Sequence, residues 1–169
     1  MEVILVGLDG LEPTLVEEWE QDLPTLRSLR ERGSSGGVRS SDPPLSAPAW
    51  PWIVTGKQGG KHGCFGFTKR ESGGYGRTPV NYGDIHAESL WEALDAAGVS
   101  CGVANVPLSY PPSELDHGYV VAGWPVPNRV TVSEPPGVVE TVERHLDERY
   151  RVHPFSMGPE LQRASDEEV

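Results

Sequence analysis

Short aliphatic runs alternate along this chain with segments in which apolar residues recur at helical spacing. Three runs are apolar at most positions, a pattern typical of strands that are covered on both faces of a parallel sheet. These runs are residues 2–8, 99–106 and 118–122, and a small-residue segment at 34–41 is a weaker candidate for a further strand. The pattern predicts buried strands joined by helical connections.

Helical spacing between these runs predicts the connections. The predicted helices are residues 13–20, 24–32, 86–97 and 135–146. Gly33 and Gly98 are the expected stops, since glycine commonly ends a helix. Residues 59–83 are rich in glycine and polar side chains, which predicts one long excursion. Strands that alternate with helices indicate an α/β fold with a mainly parallel sheet flanked by helices.

The remaining parts of the pattern are the C-terminal segment and the region around Ser46. Residues 150–153 are a further short run, and the polar tail after Pro154 has the pattern of another helix that is only begun. No internal repeat and no linker divides the chain, so the sequence predicts one domain. A last apolar helix is predicted directly after Ser46, ending near residues 55–56.

Ser46 lies in a proline-rich turn of the segment PPLSAPAWPWIVTGKQGGKHG, residues 43–63. The backbone N–H groups and the positive end of the macrodipole favour an anion at the start of a helix. A hydroxyl at this place is therefore a candidate nucleophile towards a phosphate or sulfate ester. The simpler alternative is that Ser46 serves only as a turn or cap residue.

Asp9 follows the first predicted strand, and ligands of α/β folds bind at the carboxyl ends of strands. A carboxylate there and a hydroxyl at Ser46 could share a divalent cation, which would lower the pKa of the hydroxyl and neutralise an anionic ester. The alternative for Asp9 and Gly10 is an ordinary turn.

The charge of the chain bears on its partners. The formal net charge is −11, and 3 Lys stand against 11 Arg. An acidic surface repels phosphate backbones, so no nucleic-acid groove is expected. The composition is also typical of a halophilic protein, although an ordinary acidic protein explains it equally well. Two cysteines, Cys64 and Cys101, predict neither a disulfide framework nor a zinc knuckle.

The opening MEVILVGLD has no basic region, and its apolar run is too short for a signal peptide or a membrane span. A cytoplasmic protein without membrane attachment is the expectation. The sequence also does not contain the usual glycine-rich motifs of phosphate-binding and hydrolase sites. GKQGGKHG differs from a P-loop at His62 and at Thr55, which precedes it. No G-x-G-x-x-G follows the first strand, and no G-x-S-x-G surrounds Ser46.

Three stretches carry a resemblance to a known family: VILVGLDGL, LPTLRSLRERG and PPLSAPAWPWIVTGKQGGKHGCFGF. In this order and spacing they resemble the alkaline phosphatase superfamily, and within it the type I phosphodiesterase/nucleotide pyrophosphatase group. The later stretches SLWEALDAAG and NVPLSYPP are similar to the same group, so the likeness covers most of the chain.

The resemblance implies a hydrolase with two divalent metal ions, usually Zn²⁺ with Mn²⁺ or Mg²⁺ as alternatives, and a covalent phospho-enzyme. By motif, Asp9 resembles the metal ligand of the first strand, and Ser46 resembles the nucleophile that also binds a metal. His62 has a structural role or a metal-binding one, and the structural role is favoured. Asp84 and His86 have the chemistry of ligands but precede a helix that fits ordinary packing.

Two positions depart from the motifs of related groups. Nucleotide pyrophosphatases that read T-F-P-N hold the phosphate with the asparagine, and Ala49 stands at that position, which weakens the expectation of pyrophosphatase activity. Sulfatases carry an arginine where this chain has Trp50, which argues against a formylglycine nucleophile.

Members of the group are usually much longer, and their other Asp and His ligands come from later strands. The resemblance therefore implies that residues 1–169 are the N-terminal portion of a single alkaline-phosphatase-like α/β domain, incomplete at the C-terminus. The expected function is metal-dependent hydrolysis of a small phosphate-ester substrate through phosphoserine at Ser46. The alternatives are a non-catalytic truncated module that binds an anion or a partner, and a phosphomutase or sulfatase-like member of the superfamily.

Overall fold

The computed structural model describes residues 3–71, 73–126 and 131–146. The chain divides into two compact units, Met1–Ser40 and Ser41–Val169, here called the first and the second unit. The predictions for residues 150–153 and for the tail after Pro154 lie outside the described residues.

The first unit contains helices α1, Pro13–Glu18, and α2, Pro24–Arg32. Each begins with a proline at its first turn, where the missing N–H has no helical acceptor to lose. Both predicted helices of this region are thus confirmed, and α2 has the predicted boundaries, since Gly33 ends it.

The strands predicted at residues 2–8 and 34–41 are wrong for the described residues of both segments. Residues 3–8 are not paired in a sheet, and their side chains are exposed, with Ile4 at 87% and Val6 at 70%. Val38, the centre of the second segment, is 93% exposed. A strand needs a neighbour to accept and donate its backbone hydrogen bonds. The described part of the first unit contains no other strand that could serve.

The helices of the second unit are α3, Ser46–Thr55; α4, Gly59–His62; α5, Leu90–Ala96; and α6, Val138–Leu146. α3 ends as predicted, because Gly56 adopts the left-handed conformation with φ 62° and its N–H donates to the Trp52 carbonyl. α5 is shorter than predicted because its N-cap is Ser89. The Ser89 hydroxyl accepts the Glu92 N–H, and the Glu92 carboxylate accepts the Ser89 N–H.

Among the described residues of the second unit, five strands form two sheets: β1, Thr68–Arg70; β2, Arg77–Pro79; β3, Cys101–Val106; β4, Gly118–Ala122; and β5, Ser133–Glu134. β1 and β2 are an antiparallel pair, whereas β4 lies between the parallel strand β3 and the antiparallel strand β5. The α/β class is confirmed, but the mainly parallel sheet is not. One sheet is mixed, the other is antiparallel, and the long excursion at residues 59–83 contains α4, the β1–β2 hairpin and a 3₁₀ helix, Tyr82–Asp84.

Two clusters of buried side chains form the core of the second unit. The first core cluster is Ala47, Cys64, Val80 and Leu108, and the second core cluster is Val54, Trp91, Val103 and Val120. Burial of such side chains stabilises the fold by roughly 25 cal/mol per Å² of apolar surface.

The residues of the two core clusters show towards which end of β3 the start of α3 lies. Near its start α3 contributes Ala47 to the first core cluster, and near its end it contributes Val54 to the second. β3 contributes Val103 to the second core cluster, and Leu108, just past the carboxyl end of β3, belongs to the first. The start of α3 therefore lies towards the carboxyl ends of β3 and of its parallel neighbour β4.

Candidate active site

Ser46 is the first residue of α3 and is partly exposed. Leu45 before it is extended, with φ −125° and ψ 148°, so the chain enters the helix abruptly and Ser46 stands at the turn. Amide groups in the first turn of a helix have no acceptor within the helix and are available to an anion. In α3, however, Pro48 contributes no N–H, and the Ala49 N–H already donates to the Leu45 carbonyl at 3.1 Å. The structure thus places the predicted nucleophile at the start of a ten-residue helix, as the sequence indicated.

A thiol holds the first turn of α3 in place. Pro51 has no N–H to donate to the carbonyl of Ala47, four residues earlier in the helix. The Cys64 thiol has this carbonyl within reach instead, with Sγ 3.3 Å from the Ala47 oxygen and 3.6 Å from the Gly66 oxygen, and the shorter distance favours donation to Ala47. Cys64 is only 1% exposed, and this burial raises the pKa of its thiol, which keeps the donor proton in place. The residue next to Ser46 is therefore fixed by α4 and the segment that follows it.

His62 is completely buried at the end of α4. Its Nδ1 accepts the backbone N–H of Cys64 at 3.1 Å, so the neutral ring carries its proton on Nε2. Burial lowers the pKa of His62, which favours this neutral form. Both ring nitrogens then lack a free lone pair for a metal, and this geometry favours the structural role of His62. Nε2 has no hydrogen-bond partner among the described residues.

Asp84 and His86 are also held in local structure. One carboxylate oxygen of Asp84 accepts the Asn81 N–H at 3.0 Å, which caps the 3₁₀ helix, and the other accepts a hydrogen bond from the Lys69 ammonium. The backbone N–H of His86 donates to the carbonyl of His62 at 3.0 Å. The contacts of Asp84 give its carboxylate a structural explanation, whereas the contact of His86 involves only its backbone.

The carboxyl ends of β3 and β4 are braced against each other. The Leu108 N–H donates to the Trp124 carbonyl at 2.7 Å. The Ser109 hydroxyl donates to the Val106 carbonyl and accepts the Gly123 N–H, at 2.6 and 2.8 Å. These contacts fix the carboxyl ends of β3 and β4 as one edge of the sheet.

Asp9 belongs to the first unit and Ser46 to the second. Asp9 and Gly10 form an exposed turn, with Gly10 at φ 72°. The pairing of Asp9 with Ser46 stays a prediction. Residues 3–71, 73–126 and 131–146 contain no group of three or more His, Cys, Asp or Glu side chains that could hold a metal ion.

Comparison with known families gives one match. Residues 3–161 match the model of the family described as Type I phosphodiesterase / nucleotide pyrophosphatase, which belongs to the alkaline phosphatase superfamily. No curated protein and no solved structure matches the chain. Within the described ranges, no helix is long and apolar enough to cross a membrane.

Proposed function

Because the chain belongs to the type I phosphodiesterase/nucleotide pyrophosphatase family of the alkaline phosphatase superfamily, we propose that it hydrolyses small phosphoric esters with Ser46 as the nucleophile. The observation that carries this proposal is the position of Ser46. It begins α3, and the start of α3 lies towards the carboxyl ends of the parallel strands β3 and β4. Ligands of α/β folds bind at this end of the strands.

Three local features support a reactive role for Ser46. Ser46 is partly exposed at the start of the helix. The start of α3 favours the negative charge of a phosphoryl group. The hydrogen bond from Cys64 to Ala47 and the burial of Pro48 and Pro51 hold the first turns of α3 in one geometry, which is what a nucleophile needs in order to meet its substrate in line.

The reaction that we propose has two steps. Oγ of Ser46 attacks phosphorus, the new Oγ–P bond forms as the ester P–O bond breaks, and the proton of the hydroxyl leaves with the alcohol product. Water then attacks the phosphoserine, which releases phosphate, or a phosphomonoester from a diester, and restores the hydroxyl. The first-turn amides of α3 would bind the phosphoryl oxygens in both steps.

Metal dependence is a general property of the family, and we propose Asp9 and Ser46 as ligands of divalent cations, with Zn²⁺ as the first choice. Such cations supply a lower hydroxyl pKa and neutralisation of the phosphate charge. The described residues do not form the complete ligand group, so the support for these ligands is the family motif alone.

The decisive variant is Ser46→Ala in the full-length protein, assayed on a nitrophenyl phosphodiester and on the corresponding monoester. We expect a loss of kcat of at least about 1,000-fold on whichever ester is the substrate. Ser35→Ala, a change at an exposed serine of the first unit, is the matched control and should keep full activity. Normal turnover by Ser46→Ala would refute the assignment, and transfer of the phosphoryl group within a sugar phosphate would indicate a mutase instead.

A further inference from the structure

β3 contains a bulge at Asn105, next to its carboxyl end. Ala104 pairs with Val121 and Val106 pairs with Ala122, so Asn105 has no partner on β4. Its φ is 61°, in the left-handed region that residues other than glycine adopt only at a cost. Bulges are over-represented next to active sites, where they turn a side chain towards a new direction or end the pairing.

The surroundings impose this conformation on Asn105. Gly123 packs so closely that a β-carbon on it would lie 2.6 Å from the Asn105 carbonyl carbon and 2.2 Å from the Val106 oxygen. The hydrogen bonds of Leu108 with Trp124 and of Ser109 with Gly123 fix the chain on the far side of the bulge. The bulge is therefore built by contacts between two strand ends.

The result of the bulge is an exposed carboxamide on the edge towards which Ser46 lies. Val103 is buried within β3, whereas Asn105 is exposed. Three residues later, Leu108 belongs to the core cluster that contains Ala47, the neighbour of Ser46. Asn105 and the start of α3 thus share one end of the second unit, at the carboxyl ends of the parallel strands.

We propose that Asn105 binds the substrate, with its carboxamide N–H₂ donating to a non-bridging oxygen of the phosphoric ester presented to Ser46. An amide suits this role because it supplies two N–H donors without a charge. A preorganised hydrogen-bond donor stabilises the transition state when it contacts the oxygen on which negative charge develops. This inference rests on the proposed function and adds a substrate-binding residue to it.

A purely structural alternative is that asparagine stands here because it tolerates the left-handed conformation better than most residues. Asn105→Gly separates the two explanations, since glycine adopts this conformation without cost and lacks the carboxamide. In the full-length protein we expect Asn105→Gly to melt at the wild-type temperature or above it. We also expect its kcat/KM on the nitrophenyl ester to fall roughly 10- to 100-fold, as for a lost hydrogen bond to a charged group.

Two further measurements sharpen the test. Inhibition by inorganic phosphate, the simplest probe of the phosphoryl site, should weaken in Asn105→Gly. Asn105→Asp keeps the size and the conformational tolerance of the side chain but places a negative charge next to the phosphate, so its loss of kcat/KM should exceed that of Asn105→Gly. Wild-type kcat/KM and phosphate inhibition in Asn105→Gly, with Ser46→Ala inactive, would overturn this inference and leave the proposed function intact. Full activity of Ser46→Ala would overturn the proposed function and this inference with it.

Discussion

Gly123 lies directly against the main chain of Val106, where a β-carbon would stand 2.2 Å from the Val106 carbonyl oxygen. No side chain fits into that space, because the oxygen is a backbone atom at the hydrogen-bonded edge of the sheet and cannot move aside. The close approach lets the Gly123 N–H reach the Ser109 hydroxyl at 2.8 Å. This contact fixes the carboxyl ends of β3 and β4 at the edge towards which Ser46 lies.

Gly123→Ala should therefore destabilise the protein. The added methyl group must push the two strand ends apart, and we expect the free energy of unfolding to fall by about 1–3 kcal/mol or more, measured by urea denaturation. Gly60→Ala is the control, since nothing lies within 4 Å of its β-carbon position, and within α4 it should leave the free energy of unfolding unchanged or raise it by up to about 1 kcal/mol. Equal stabilities of the two variants would contradict the observed packing.

Cys64→Ala should destabilise the protein through the first turn of α3. It removes the donor to the Ala47 carbonyl, which Pro51 cannot replace, and we expect a loss of about 1–3 kcal/mol in the free energy of unfolding. Cys64→Ser keeps a donor at this position and should recover part of the loss.

Cys101→Ala is the matched control for Cys64→Ala. Cys101 is only partly buried, and its Sγ lies 3.9 Å from the Trp91 carbonyl oxygen, which is a weak hydrogen bond. A smaller loss of stability is expected. The role of the Cys64 thiol would be refuted if Cys101→Ala cost as much as Cys64→Ala in the same denaturation experiment.

His62 should make stability depend on pH below neutrality. Burial lowers its pKa in the folded protein, so the unfolded chain binds a proton more readily, near its ordinary pKa of about 6.5. The stabilisation is fully present above that value, and it is lost as the pH falls towards the lower folded pKa. Thermal unfolding at pH 7 and pH 5 should show this loss in the wild-type protein.

His62→Asn should flatten the pH dependence, since its amide keeps an acceptor for the Cys64 N–H but does not titrate. His145→Asn, a change at an exposed histidine of α6, controls for the loss of a histidine elsewhere. A pH dependence that survives unchanged in His62→Asn would show that another group causes it.

Zinc binding tests the proposed role of Asp9. In calorimetric titration of the full-length protein with Zn²⁺, we expect Asp9→Ala to weaken binding at least about 10-fold, since a charged ligand is lost. Glu17→Ala, an exposed acidic residue of α1, is the control and should leave binding unchanged. Zinc affinity that is the same in Asp9→Ala and in the wild type would exclude Asp9 as a ligand.

Local signals made some elements predictable from the sequence. The helix at Pro24–Arg32 starts at a proline and stops at Gly33, and α3 stops at Gly56, where the left-handed conformation is needed. β4 has the predicted boundaries, and its buried residues Val120 and Val121 form the apolar centre of the run. In these cases the residues themselves determine where the element begins or ends.

Elements that depend on distant partners were not predictable in this way. Residues 3–8 have the apolar composition of a buried strand, yet composition does not supply the neighbouring strand that must pair with them. The β1–β2 hairpin was missed because its strands are three residues long and largely polar, which leaves no alternation to detect.

The candidate site also combines features that have a local sequence signal with features that depend on residues far apart in the chain. The helix start at Ser46 was predictable because its signal is local, namely prolines followed by apolar residues. The contact of Cys64 with Ala47 spans 17 residues, and the bulge at Asn105 depends on Gly123, so neither has a local pattern. The nearest sequence signal for the bulge was an asparagine inside an apolar run.

Trapping of a phosphorylated enzyme tests the central claim most directly. The full-length protein is mixed with its phosphoric ester, quenched in acid within the turnover time, digested, and examined by mass spectrometry. We predict one phosphate on the peptide that contains Ser46, located at Ser46 by fragmentation and absent from Ser46→Ala. Turnover without phosphate on Ser46, or a phosphate that forms equally in Ser46→Ala, would contradict the proposed mechanism.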